Sequence, residues 1–236
     1  KTVQLGEGMK EVCVFLAWNK RVTFQEISLD DGATIEPVKP SKTLLCFGDS
    51  ITQGYDAHRP SGNYPARLAD ALGAELTGLD ISKEAVRCAA AKYKGKQWLC
   101  ATAAHIPVED GSVGLLTSLF ALTLPQEFAR VLQQGGYYFQ VLAAEDHLLG
   151  LKGIIYDQLN FKEKNTVPEL PGFELVKSVP IRFTFTVEGQ QVQNLFSMTP
   201  HVFRIGKAGA ERLRKTETLT DTASCVLNVY RRQGRS

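Results

Sequence analysis

ELTGLDISKEAVRCAAAKY, residues 75–93, changes character halfway. Residues 75–80 read as a short strand that ends on an acid, Asp80. The rest reads as a helix over 82–93, with Ser82 near its cap, where a hydroxyl can accept a bond from a first-turn N–H. Working outward, the same alternation continues on both sides. Strands are expected at 43–48, 96–101, 113–119 and 136–143, and helices at 64–72 and 124–132. Strand–helix alternation of this kind signals an open, mainly parallel sheet with right-handed crossovers. Ligands in such sheets bind beyond the carboxyl ends of the strands. On helix 64–72, Leu68, Ala69 and Leu72 form an inward stripe.

The flanks differ from this centre. Residues 11–17 (EVCVFLA) and 21–29 (RVTFQEISL) read as a hairpin, with Trp18, Asn19 and Lys20 in or near its turn. DDGATIEPVKP (30–40) is a linker with two prolines. Residues 1–40 are therefore expected to be a β appendage too small for its own core. At the other end, a helix is expected over about 145–159. A Pro-containing link at 167–171 and a β run at 173–187 follow. Two helical stretches and a last strand at 224–230 complete the chain. Pairing of 173–187 with 224–230 would add an antiparallel edge, which is common on otherwise parallel sheets.

Composition narrows the classes. The 236 residues fit one large domain, or a domain with a small appendage. A hydrophobic content of 44% suffices for a core, and a formal net charge of +2 argues against a bulk polyanion binder. Cys13, Cys46, Cys88, Cys100 and Cys225 form no C-x-x-C pair, which argues against a zinc ribbon or a disulfide framework and fits a reducing cytosol. No metal is expected. No long apolar span marks a membrane helix, and the opening residues do not read as a signal peptide. Because the chain opens on Lys1 rather than Met, an upstream segment is expected to be missing.

LLCFGDSITQGYD (44–56) raises a separate question. It resembles the first block of the SGNH (GDSL-type) esterases, and EISLDDGATIEPVKP before it is similar to the β domain that precedes the catalytic domain in some of that family. The resemblance covers residues 1–73 and implies Ser50 as nucleophile, its own N–H serving the oxyanion hole. A serine nucleophile also needs a base and a group that orients it. The family's Gly-x-Asn-Asp and late Asp-x-x-His are both absent, and none of His58, His105, His147 and His201 completes the latter. The alternative is a turn serine bonded to local backbone.

From about Ala74 to Tyr230 the chain resembles a different family. ELTGLDISKEAVRCAAAKY, ATAAHIPVEDGSVGLL and EFARVLQQGGYYFQV, with Gly135 and Gly136, resemble class I S-adenosylmethionine (SAM) methyltransferases. AAEDHLLGLKGIIYD and FTFTVEGQQVQNLFSMTPHVFR resemble, within that class, the large-subunit ribosomal RNA guanine-N1 methyltransferases. The resemblance implies a Rossmann-like α/β three-layer sandwich over 41–236, with the appendage in front. It implies SAM as methyl donor, rRNA as partner and guanine N1 as acceptor. The cofactor residues it implies are Gly48, Asp49, Gly54, Asp80, Ile81, Thr102, Ala103 and Phe120. Two features depart from the family. Its N-terminal four-Cys zinc module is absent, and CFGDSITQGYD stands where a D-x-G-x-G-x-G loop would let backbone approach the methionine half of SAM.

Three functions follow: a methyltransferase with an altered glycine loop, an esterase using Ser50, or a catalytically silent chimera with a seam near Ala74. In any of these, strand 43–48 could occupy the central slot of the sheet. Individual residues each carry two readings. Asp80 is a ribose ligand or a solvated acid. Phe120, followed by Ala121, stacks on a flipped base or packs in the core. His105 is a pocket wall or a loop residue. His147 is a substrate contact or a polar helix residue. Lys207, Arg212, Arg214 and Lys215 meet RNA phosphates or form a solvated face. No residue reads as the base that guanine N1 would require.

Overall fold

A computed structural model describes residues 42–47, 64–93, 96–159 and 163–234. The expected hairpin at 11–17 and 21–29 lies outside these residues, as do Gly48, Asp49, Ser50 and Gly54. Among the described residues, seven strands form one sheet. They are β1 (Lys42–Phe47), β2 (Ala74–Asp80), β3 (Gln97–Cys100), β4 (Val113–Leu119), β5 (Leu132–Ala143), β6 (Phe173–Glu188) and β7 (Thr218–Arg232). The helices are α1 (Tyr64–Leu72), α2 (Lys83–Lys92), α3 (Pro125–Val131), α4 (Leu149–Ile155), α5 (Gln190–Ser197) and α6 (Lys207–Lys215). The strand order is β3-β2-β1-β4-β5-β7-β6. The first five strands pair in parallel, and β7 runs antiparallel to both β5 and β6.

β1 takes the central slot between β2 and β4, where the sequence places it. Its side chains alternate between two cores. Leu44 and Cys46 pack with Leu76, Leu115 and Ala69 of α1, and Leu68 and Leu72 lie along the same seam. Leu45 packs on the other face with Leu79, Leu116, Tyr138 and Phe128 and Val131 of α3. Helices on both faces of one sheet make the expected three-layer sandwich.

Two stretches depart from the sequence reading. The helix expected over 145–159 is shorter, and residues 145–148 form a turn ahead of α4. Backbone N–H groups of Ala144 and Leu148 donate to the carbonyls of Ser224 and Thr222, so β7 captures this backbone before a helix can take it. Leu148 accordingly sits in the left-handed region at φ 54°. Asp146 and His147 are thus turn residues, not helix residues. The strand expected from 136 begins already at Leu132, and Gly135 and Gly136 lie in a bulge within β5, where the register with β4 slips. A Cβ on Gly136 would come 2.9 Å from the Gln133 carbonyl oxygen, so only glycine fits there.

β6 and β7 continue beyond the sheet. Residues 182–188 pair with 218–224, past the last β5 residue, Ala143. This ribbon and helices α4, α5 and α6 enclose a third core of Leu148, Leu151, Ile155, Val192, Leu213 and Leu219. It rises from the carboxyl edge of the parallel strands and forms a wall beside that edge.

Candidate functional site

The carboxyl ends of β2, β3, β4 and β5 converge on one edge, where a ligand of an open α/β sheet is expected. Asp80 ends β2, and its Oδ1 accepts a 2.8 Å bond from the Ser82 N–H. Ser82 in turn caps α2, its hydroxyl accepting from Ala85 N–H at 3.2 Å. These two local bonds fix the direction of the carboxylate. Beside it, the Ile81 side chain is 72% exposed. An apolar side chain this open next to a fixed acid suits a flat aromatic heterocycle whose sugar bonds the acid.

The loop after β3 supplies Thr102 and Ala103. Ala103 is buried in the core, whereas Thr102 is exposed and its Oγ1 accepts from Ala104 N–H. His105 is exposed, in agreement with the loop reading. What holds this loop is an ion pair on α3 that sequence reasoning missed. Glu127 Oε1 accepts from Ile106 N–H at 2.6 Å, and Arg130 donates to the carbonyls of Ile106 and Val108. Arg130 also bonds both oxygens of Glu127 and reaches Asp110 at 2.6 Å. Arg130 holds the Glu127 carboxyl below its usual range, chiefly through these bonds. The i, i+3 spacing of Glu127 and Arg130 was a visible signal, but it did not reveal the loop that the pair binds.

Phe120 follows β4 with φ 53°, a left-handed conformation that is costly for an aromatic residue. The core-packing reading of Phe120 does not hold, because the side chain is 39% exposed at the edge. Its ring lies 5.4 Å from the His147 ring. His147 is half-buried, and its Nδ1 accepts from Ser224 N–H at 3.2 Å. Burial first, then the charges of Lys152 and Lys164, push its proton affinity below the ordinary value. His201, which bonds Tyr156 Oη at 2.8 Å, is lowered by burial and by Lys152, Arg204 and Lys164. Lys152 and Lys164 thus place positive charge near both rings.

The cations expected to meet RNA separate into two kinds. Arg212 donates to the Ile154 carbonyl at 2.7 Å and pairs with Asp157 at 2.8 Å, so it docks α6 on α4. Lys207, Arg214 and Lys215 are exposed on α6. An open hollow of about 420 Å³ lies at the opposite edge of the sheet, lined by Asp110, Arg130, Gln134 and Arg232. Both of its guanidinium groups bond other groups of the chain, Arg130 as above and Arg232 to the Leu132 carbonyl, and it lies away from the strands' carboxyl ends. The site is therefore placed at the other edge. No helix among the described residues is long and apolar enough to cross a membrane.

Residues 60–140 match a family model described as a methyltransferase domain. This match starts ahead of the seam expected near Ala74 and takes in helix α1. None of the comparisons supports the esterase reading of Ser50. The 23S rRNA (guanine(748)-N(1))-methyltransferase of Streptomyces fradiae is 29% identical over 146 residues, 59% of this chain and 52% of that protein. The YxjB protein of Bacillus subtilis, which bears a provisional name as a 23S rRNA guanine-N1 methyltransferase, is 24% identical over 146 residues, 60% of this chain and 52% of its own. The chain thus spans about half the length of these curated relatives. Among solved structures, one described as conversion of a disulfide bond into a thioacetal group during echinomycin biosynthesis superposes with a TM-score of 0.51 at 12% identity. It covers 83% of this chain and 77% of its own, and it shares the fold.

Proposed function

We propose that this chain is a SAM-dependent methyltransferase acting on guanine N1 in 23S rRNA. The observation that carries the reading is Phe120, an exposed aromatic ring held in a left-handed conformation at the end of β4 beside His147. Strain of this kind persists where the surroundings over-determine it, and it clusters at functional sites. A ring so placed can stack on a base taken out of its own stack. The donor end lies on the same edge. β2 and β4 are separated by β1 alone, so Asp80 and Phe120 end strands roughly 10 Å apart at the usual spacing. That distance suits a nucleoside at β2 whose reactive group reaches β4.

The residues present fit the adenosine half of SAM. Asp80 would accept from the ribose hydroxyls, Ile81 would cover one face of the adenine, and the Thr102–Ala103 loop would border its edge. Gly48, Asp49 and Gly54 are proposed to border the methionine half. SAM, when bound, supplies an electrophilic methyl group on a sulfonium. The protein's own part is to hold the acceptor ring against Phe120 and to set the charge around it. Lys152, Lys164 and Arg204 in the wall, and Lys207, Arg214 and Lys215 on α6, would meet RNA phosphates.

Two measurements test this. Calorimetric titration of SAM should give micromolar binding that weakens at least tenfold in Asp80→Ala. Incubation with a 23S rRNA hairpin and SAM should create a stop to reverse transcription at one guanine, because N1 methylation blocks its Watson–Crick edge. Absence of SAM binding, or modification of another base or another guanine atom, would refute the proposal.

A further inference from the structure

Guanine N1 carries a proton, and a methyl acceptor there must lose it. The obvious candidate for a base beside Phe120 is His147, and its hydrogen bonding excludes that role. The Nδ1 atom accepts from Ser224 N–H, so it bears no proton. A neutral imidazole has one N–H, which must then be on Nε2. That nitrogen can donate a hydrogen bond but cannot take a proton. The same bond to β7 fixes the ring's orientation. The turn that carries the ring is fixed too, through the bonds of Ala144 and Leu148 to Ser224 and Thr222.

The charges around the ring point the same way. Lys152 of α4 donates to the His147 carbonyl, and Lys164 donates to the Ala144 carbonyl. With burial, both disfavour a positive charge on His147, while the backbone contact with Ser224 and the charge of Asp221 oppose them without reversing the direction. Among the described residues, the nearby carboxylates have other partners. Asp146 bonds Arg182 of β6, Asp221 bonds the backbone of α4, and Glu145 accepts from Lys164 N–H. The ring beside Phe120 is thus a neutral donor in a positive field, a setting that favours a negative charge on whatever it touches.

Resting on the guanine-N1 reading above, we infer that His147 is a catalytic hydrogen-bond donor to the exocyclic oxygen of the target guanine, and that it stabilises the N1-deprotonated form of that base. In this step the N1 proton leaves to water and its electron pair stays on the ring, shared between N1 and O6. The Nε2–H of His147 bonds O6. The pair on N1 forms the bond to the methyl carbon, and the carbon–sulfur pair leaves with sulfur. No side chain need accept the proton. The bound guanine becomes more acidic because Nε2–H bonds its oxygen within the positive field of Lys152 and Lys164.

The test is the pH profile of single-turnover methylation of the hairpin by the parent protein, His147→Ala and His147→Gln. In the parent the rate should rise with pH to a plateau. In His147→Ala the midpoint should move up by at least one pH unit. The rate at pH 7 should fall on the order of 10²-fold, as when one oxyanion donor is removed. SAM affinity and the melting temperature should stay close to those of the parent. His147→Gln, which keeps an N–H donor, should recover part of the loss. A profile for His147→Ala with the parent's midpoint would overturn the inference, as would a loss equal at every pH. Independently, the ¹⁵N shifts of the His147 ring should show the proton on Nε2, and a proton on Nδ1 would overturn it. If the parent methylates no guanine N1, the proposed function fails, and the ring shifts still decide the tautomer on which this inference stands.

Discussion

Helix α4 begins without a local cap. Its N-cap residue is Leu148, in a left-handed conformation and with no side-chain bond to the first turn. The cap comes from 70 residues away. Asp221 of β7 is buried, its Oδ1 accepts from Gly150 N–H at 3.0 Å, and its Oδ2 accepts from Leu151 N–H at 2.7 Å. Oδ1 also accepts from Thr222 N–H at 2.7 Å. Gly150 permits this, since a Cβ there would meet the carboxylate at 3.1 Å. Asp221→Ala would strand three N–H groups, two of them at a helix N-terminus where a negative charge is favoured. Loss of a cap alone costs about 0.5–2 kcal/mol. Bonds to a charged acceptor are worth about 1.5–3 kcal/mol each, though they do not add. We therefore expect a loss of about 3 kcal/mol, or about 6–12 °C in melting temperature for a chain of this size. Asp221→Asn keeps one acceptor oxygen, but turns an amide donor toward Leu151 N–H or toward the other two. It should lose less than the alanine variant and more than nothing. Urea unfolding followed by tryptophan fluorescence gives both values, provided the m-value is unchanged. A stability for Asp221→Ala within about 0.5 kcal/mol of the parent would refute the remote cap.

Other perturbations separate the remaining contacts. A Cβ on Gly209 would lie 2.2 Å from the Ile155 carbonyl oxygen where α6 crosses α4, so Gly209→Ala should cost about 2 kcal/mol despite its better helix propensity, read as a lower urea midpoint. The folded-state pKa of Glu127 is depressed by Arg130, so its stabilisation is complete above the unfolded value of about 4.3 and is lost as pH falls through the folded value. The gap in urea midpoint between the parent and Glu127→Gln should therefore be widest at neutral pH and close toward pH 3; a gap that stays constant would show that the charge is immaterial. The folded-state proton affinity of His147 is also depressed, so it opposes folding once the unfolded state binds a proton near pH 6.5, and His147→Gln should remove part of the stability lost on acidification below that pH. Phe120→Gly relieves a strained φ of 53° but removes the ring, so it should leave the melting temperature within a few degrees while methylation of the hairpin falls at least tenfold.

The sequence alone determined the parallel core, because that depends on local periodicity. Strand–helix–strand patterns placed β1 through β5 and α1 through α3 nearly where they lie, and Leu68, Ala69 and Leu72 on the inward side of α1. Asp80 and Ser82 were legible for the same reason, since a strand-end acid and a cap act within a few residues of their own backbone. Tertiary structure decided the rest, where the partners are far apart in the chain. The turn at 145–148 reads as helix until β7 takes its N–H groups, and the cap of α4 is invisible until Asp221 arrives from β7. Arg130 reads as a helix-surface charge until it binds the 106–110 loop. His147 showed the same dependence most fully. Its residue type allowed donor or acceptor, and the bond from Ser224, 77 residues on, selects the tautomer. Local pattern fixes backbone conformation over a few residues. The protonation and direction of a site side chain are fixed by whichever distant backbone folds against it.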